Sequence, residues 1–312
     1  MRALVTGAAG FVGSNLALTL EGEGHEVVGL DDFTSGDFRN LDGFRGDFAA
    51  ADLRDVGAWA GRVGAVDAVF HQAAITDTTV TDQKLMLEVN VEAFRLLLGW
   101  AAERGVKTVV YASSAGIYGD GPVPMRESAA PRPLNVYAFS KRVMERVAAD
   151  FAKAHPKMRI VGLRYFNVFG PRELYKGKVA SMIWQLALQM RAGKRPRIFT
   201  DGEQYRDHIY VKDVVQANLR AAQDAPSGAY NVCTGKKTTF NEIVRFLNAA
   251  LKAKLAPDYF KNPYSFYQNE TLGDPARAKK AFGWQAAFSV EKGVQDYFGA
   301  REAPAPPAQA KV

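Results

Sequence analysis

Tyr137 and Lys141 stand four residues apart in the run Tyr137-Ala138-Phe139-Ser140-Lys141. Periodicity around them predicts a helix over Val136–Ala154, so both side chains fall on one helical face. A free phenol titrates near 10, so a tyrosine acting as a base near neutral pH needs about 3 units of depression, roughly 4 kcal/mol. A neighbouring ammonium has the sign to supply it. By itself such a spacing also arises by chance. Upstream, however, Tyr111-Ala112-Ser113-Ser114-Ala115-Gly116-Ile117-Tyr118-Gly119 reads as the end of an apolar strand. Ser114 is placed there to hold a substrate hydroxyl that Tyr137 deprotonates.

These residues need a scaffold, and the first half of the chain supplies the pattern of one. Apolar strand signals at 2–6, 27–30, 68–70, 106–112 and 159–164 alternate with helical periodicity at 11–21, 53–60, 83–103 and Val136–Ala154. The expectation is an α/β Rossmann fold, a doubly wound parallel sheet of about seven strands, spanning residues 1–169. From residue 170 to 300 the alternation loosens into shorter elements: helices near 179–191, 211–222 and 240–251, and strands near 197–199 and 230–232. That stretch reads as a smaller α/β lobe facing the substrate. No linker divides the two, so they share one cleft. Residues 301–312, rich in Ala and Pro, read as a disordered tail.

Thr6-Gly7-Ala8-Ala9-Gly10-Phe11-Val12-Gly13 lies between the first strand and the first helix. Glycines Gly7, Gly10 and Gly13 permit a tight turn and let a diphosphate meet the backbone, while the helix start offers unpaired amides. The acidic pair Asp31-Asp32 ends the next strand about twenty residues on, where a carboxylate takes the adenosine ribose hydroxyls. Together they predict one NAD or NADP per chain, with Phe11 and Val12 at the turn. Asp31 repels a 2′-phosphate, whereas Arg39 and Arg45 would pair with one, and the sequence leaves both dinucleotides open. Ala73, after the fourth strand, lets the loop backbone lie along the cofactor, and Asn90 joins the cofactor-binding set by bonding that loop. His71 reads as a packed structural residue. Asp47 and Asp52 read equally well as adenine neighbours or as surface and cap residues.

Composition closes other classes. The chain has 312 residues, a formal charge of +7, 47% apolar residues and 23% charged ones, ordinary values for a folded protein. A single cysteine, Cys233, offers no internal disulfide and no multi-Cys metal site. The basic residues are scattered, without the run or finger spacing of a nucleic-acid binder. No stretch approaches the roughly 18 apolar residues of a membrane span, and no signal-peptide pattern opens the chain, so the cytoplasm is expected.

The Gly-rich turn, the Ser-Ser-x-x-x-Tyr-Gly strand end and the Tyr-x-x-x-Lys pair, in this order, resemble the extended short-chain dehydrogenases/reductases. These are nucleotide-sugar epimerases, dehydratases and reductases, and the resemblance covers about residues 1–300. Pro133-Leu134-Asn135-Val136-Tyr137, Thr76-Asp77-Thr78-Thr79 and Arg164 to Glu173 followed by Lys176-Gly177 and Ala180-Ser181 are most similar to the ADP-glyceromanno-heptose 6-epimerase branch. That likeness implies a role in lipopolysaccharide core biosynthesis. It also implies Lys176 as a second acid/base on the opposite side of the sugar carbon, and Asn167, Ser181, Gln185, Arg206 and Tyr267 around the sugar nucleotide. The arginine of Arg206-Asp207-His208-Ile209-Tyr210-Val211 would meet the diphosphate. Gln185 stands where the branch usually has His, and Asp32 where Asn is usual, departures that bear on the substrate.

The implied reaction is a transient oxidation without net redox change, the hydride leaving one face of the sugar carbon and returning to the other. A UDP-sugar 4-epimerase, using the same Ser, Tyr and Lys, is the alternative. A dehydratase would carry an Asp-Glu pair where this chain has Ala115-Gly116, and a nucleotide-sensing regulator need not keep Ser114, Tyr137 and Lys141. The family commonly assembles as homo-oligomers through helices on the sheet faces, and Phe94, Leu98 and Trp100 suit core and interface equally.

Overall fold

The computed structural model describes residues 1–263 and 270–299. Tyr267 and the expected tail 301–312 lie outside them. Short aliphatic runs bounded by turn residues form β1 (Arg2–Thr6), β2 (Glu26–Asp31), β3 (Asp47–Ala50), β4 (Ala68–His71), β5 (Thr108–Ser114) and β6 (Arg159–Tyr165). Four short strands follow, β7 (Asn167–Phe169), β8 (Arg197–Phe199), β9 (Tyr205–Arg206) and β10 (His208–Tyr210), and then β11 (Gly228–Val232), β12 (Thr238–Thr239) and β13 (Asp258–Phe260). Seven of these make one parallel sheet in the order β11-β6-β5-β4-β1-β2-β3. Strand order reverses between β1 and β4, which opens a crevice at the C-terminal strand ends where ligands of such sheets bind.

The helices are α1 (Phe11–Gly22), α2 (Val56–Val63), α3 (Gln83–Leu87), α4 (Ala93–Glu103), α5 (Val136–Ala154), α6 (Met182–Arg191), α7 (Val211–Asp224), α8 (Phe240–Leu251), α9 (Ala276–Phe282) and α10 (Val290–Phe298). Leu16, Leu20, Val214 and Phe282 of α1, α7 and α9 pack on Val5, Phe70 and Val161 on one sheet face. Trp59, Leu97 and Met144 of α2, α4 and α5 pack on Leu4, Val69 and Val109 on the other. A separate cluster joins Trp184, Ile243 and Val294 of α6, α8 and α10 to Phe169 and Tyr210. Among the described residues no helix is long and apolar enough to cross a membrane.

The structure departs from the expected elements where a cap or a long-range bond decides. The single helix expected over 83–103 is interrupted by a π turn at Glu88–Glu92, which carries Asn90 toward the loop after β4. The helix expected at 53–60 begins at Val56, because the Asp55 side chain accepts the Ala58 amide and caps it there. Ser181 likewise delays α6 to Met182. Phe94, Leu98 and Trp100 are core residues rather than interface ones, and Cys233 is buried just beyond β11 beside Ile117, Met125 and Phe166.

Candidate active site

The Gly7–Gly13 turn is built to lie flush under a ligand. A Cβ on Gly7, whose φ is +66°, would sit 2.6 Å from the Ala73 nitrogen, and one on Gly13 would sit 2.0 Å from the Gly7 oxygen. Only glycine fits at either position. Gly10 caps α1 without a side chain, so the first-turn amides of Phe11 and Val12 face the crevice without a side-chain acceptor, an arrangement that fits a diphosphate. The Asp31 carboxylate accepts the Ala9 amide at 2.9 Å and the Phe33 amide at 2.8 Å, which locks it beside the turn. Burial raises its pKa above the ordinary carboxylate value against the pull of those two amides. Asp32 is exposed and accepts the Thr34 amide. These features fit the adenosine diphosphate half of a nicotinamide dinucleotide.

The two basic residues that could pair with a 2′-phosphate already have acidic partners, Arg39 through its side chain and Arg45 through its backbone amide. Arg39 donates from Nε and Nη2 to Asp37, at 2.8 and 2.6 Å, and lies 4.2 Å from the Tyr175 ring, so its guanidinium is already paired. The Arg45 amide bonds Glu21 near the far end of α1, away from the turn. Asn90 is fully buried, its side-chain amide bonded to both backbone groups of Ile75 and to the Ser140 hydroxyl, so it braces the loop after β4 as expected. His71 bonds Thr6 at 2.8 Å and stacks on Phe94, and burial lowers its pKa to about 3, in keeping with a structural role.

Ser114, Tyr137 and Lys141 do converge. Ser114 ends β5 close to Tyr137, both flanking Gly116, while Asn135 caps α5 and so sets the turn on which Tyr137 stands. The Lys141 Nζ lies 5.9 Å from the Tyr137 ring centre and donates to the Ala112 carbonyl at 2.9 Å. The depression of the Tyr137 pKa expected from sequence draws on Lys141 together with the positive nicotinamide ring, and the protein's own groups do not supply it alone. Burial raises Tyr137 above its ordinary value, offset only in part by Ser114, and burial pushes Lys141 itself down to about 7. Desolvation outweighs charge because the ammonium is 1% exposed and turned to a carbonyl.

That shift has a consequence for stability. Lys141 titrates at about 7 folded and 10.5 otherwise, so between those values the unfolded chain binds more protons and stability rises with pH. Lys141→Met is expected to flatten this rise and to raise the unfolding midpoint at pH 7 by roughly 2–5 °C while halting turnover. Thermal melts of both proteins from acid to alkaline pH check it. An equal slope in the two would contradict a lowered Lys141.

The residues expected around the sugar nucleotide fall largely in and around the segment after β7. Lys176 is half-buried, with Nζ 5.7 Å from the Phe11 ring centre, and burial lowers its pKa against the opposing pull of Glu173. The Ser181 hydroxyl caps α6 and donates to Glu173, and Gln185 bonds the Lys178 and Ala180 carbonyls. Both are thus held to the segment itself. Asn167 bonds the Asp207 carbonyl and Thr271, and Arg206 donates to the Tyr205 carbonyl from β9.

Three groups escaped the sequence reading. Asp207 is buried, gathers the amides of Thr234, Gly235 and Gly273, and is raised to about 6 by burial. Glu145, four residues past Lys141, pairs with Arg164 at 2.7 Å and accepts the Ser113 hydroxyl, clamping α5 to β5 and β6 beneath the site. Glu173 is the third. Each lies inside or a few residues beyond a motif segment and has a basic residue directly beside it (Arg206, Arg146 and Arg172), so local sequence reads all three as ordinary solvated charges.

A glycine turn at the crevice and a half-buried Ser114-Tyr137 pair with buried Lys141, two strands away across β4, define a nicotinamide-dinucleotide enzyme of the short-chain dehydrogenase/reductase type. The chain belongs to the NAD dependent epimerase/dehydratase family, whose model matches residues 3–233. It is 35% identical to the ADP-L-glycero-D-manno-heptose-6-epimerase of Alkalilimnicola ehrlichii, over 97% of this chain and 98% of that one. Among solved structures it is similar to the enzyme of that same name from Helicobacter pylori, with 40% identity, a TM-score of 0.87, and 95% and 94% of the two chains covered. It is also similar to a UDP-glucose 4-epimerase of Thermus thermophilus in complex with NAD, with 31% identity, a TM-score of 0.84, and coverage of 97% and 100%.

Proposed function

We propose that this chain inverts carbon 6 of an ADP-glycero-manno-heptose, an activated sugar of the lipopolysaccharide core. In this reading residues 1–169 hold the dinucleotide and 170–300 mainly face the sugar. The dinucleotide, when bound, accepts and returns the hydride and brings a cationic ring beside Tyr137. Ser114 holds the sugar hydroxyl, and Tyr137 takes its proton and later restores it. Lys141 orients Tyr137 and the ribose end, and Arg206 meets the diphosphate. Lys176 handles the proton on the opposite face. The observation that carries the reading is Lys176, half-buried beside Phe11 at the start of the cofactor helix in a segment that matches the heptose branch.

The likeness to a UDP-glucose 4-epimerase supports the second reading, inversion at carbon 4 of a UDP-sugar. Incubation with ADP-heptose, UDP-galactose and GDP-mannose, followed by NMR, separates the two. Inversion at carbon 6 of the ADP-heptose alone supports the first reading, and inversion only of UDP-galactose rejects it.

We further propose NAD as the preferred dinucleotide. Asp31 and Asp32 crowd the ribose edge with negative charge, and Arg39 is paired with Asp37. Calorimetric titration is expected to give NAD at least about tenfold tighter than NADP, and Asp37→Asn, which keeps the turn acceptor but frees Arg39, to narrow the gap. Tighter NADP in the unaltered protein would contradict the assignment. Finally, we propose a cytoplasmic homo-oligomer formed through α4 and α5, where Leu96 and Phe139 are 44% and 47% exposed. Sedimentation at the monomer mass would count against it.

A further inference from the structure

Both ends of the segment that carries Lys176 are tied to one buried carboxylate. Glu173 is 0% exposed. Its Oε1 accepts the Gly170 amide at 3.0 Å and the Ser181 hydroxyl at 3.0 Å, and its Oε2 accepts the Ser181 amide at 2.7 Å. The segment therefore closes on itself, with a 3-10 stretch at Leu174–Val179 between the tied ends and a reversal at Gly177, φ 56°. Two further bonds strap it to the cofactor side: Asn15 donates to the Pro171 carbonyl at 2.9 Å, and Arg172 donates to the Asn40 carbonyl at 3.1 Å. Lys176 emerges from this closed loop toward Phe11.

A carboxylate buried without an ion pair costs stability unless its hydrogen bonds offset the lost hydration, and among the described residues Glu173 forms no ion pair within 4.0 Å. An amide side chain there would keep only one acceptor for three donors. The residue is thus poorly suited to mere packing and well suited to closing the loop.

We propose that Glu173 is the positioning residue for Lys176: it closes the 170–181 loop so that the amine is held beside Phe11. The proposal rests on the reading of Lys176 as a second acid/base. The titration directions agree with it. Burial lifts Glu173 to about 7 and lowers Lys176, while each opposes the other's shift. The groups facing Glu173 are Lys176 in its own loop and Tyr297 from α10, and the group facing Lys176 is Glu173. Above about pH 7, where Glu173 is ionised, its charge favours a protonated Lys176.

The test uses full-length, NAD-loaded protein and Glu173→Gln, with competitive acetylation of Lys176 across pH read by mass spectrometry. The Lys176 labelling midpoint is expected to fall by about 1 unit. In the same variant kcat on ADP-heptose is expected to drop about tenfold or more, with KM within about twofold, and Glu173→Gln is expected to cost nothing further in a Lys176→Met background. An unmoved midpoint with unchanged kcat in folded protein overturns the proposal. A shifted midpoint together with a Lys176→Met variant of full activity leaves Glu173 positioning Lys176 and removes the acid/base reading instead. If Glu173→Gln does not fold, Glu173→Asp keeps the charge but is too short to reach both ends. Trypsin cleavage after Lys176 should then rise about tenfold, and cleavage at the original rate overturns the proposal.

Discussion

Tyr137→Phe is expected to lower turnover roughly 10²- to 10⁴-fold while NAD affinity stays within about twofold. The substitution removes one oxygen and leaves the ring against Lys141, whose Nζ lies 5.9 Å from the ring centre. Ser114 retains its bond to the Gly116 amide, so the end of β5 should not move. What goes is the only group in the Ser-Tyr-Lys set placed to take and return a hydroxyl proton. The protein's own charges do not lower this phenol, since burial raises it and Lys141 is itself pushed to about 7. The Tyr137 titration, followed as the ultraviolet difference between the original protein and Tyr137→Phe, should accordingly move down on adding NAD, whose ring brings a positive charge into a buried site. Turnover near the original rate in Tyr137→Phe would remove Tyr137 from the mechanism.

Lys176→Met carries the second large effect, an expected loss of roughly 10²-fold or more in carbon-6 inversion. Methionine matches the length of the lysine stem and deletes only the amine that lies over Phe11. Burial already lowers Lys176 toward its neutral form, so folding should not suffer. The heptose reading needs a proton donor and acceptor on each side of the sugar carbon, and Tyr137 serves one side. A 4-epimerase reuses one hydroxyl and one tyrosine, and would lose little. Steady-state rates on ADP-heptose and UDP-galactose for the same variant therefore separate the two readings, and full activity on ADP-heptose would return Lys176 to an ordinary loop lysine.

Elements with local causes were the ones legible in the sequence. β1 at Arg2–Thr6, α5 at Val136–Ala154 and α8 at Phe240–Leu251 begin and end where expected, because Asn135 and the Thr239–Glu242 capping box sit beside the helices they start. The π turn inside 83–103 was not legible, since its cause is the bonding of Asn90 to Ile75 and Ser140, 15 and 50 residues away. The Ser-Tyr-Lys convergence followed from spacing and strand order. Its electrostatics did not: the sign at Tyr137 is a sum over burial and neighbours that exists only once the chain is folded. Glu173 shows the same limit, because its partners Gly170 and Ser181 become neighbours only when the loop closes.

The central claim, that one hydrogen leaves carbon 6 and returns to that carbon from the other face, is tested most directly by isotope. ADP-heptose deuterated at carbon 6 should give an epimer that keeps the deuterium in ordinary water, with no net build-up of reduced dinucleotide. Loss of the label to solvent, or reduced dinucleotide accumulating with product, would contradict it.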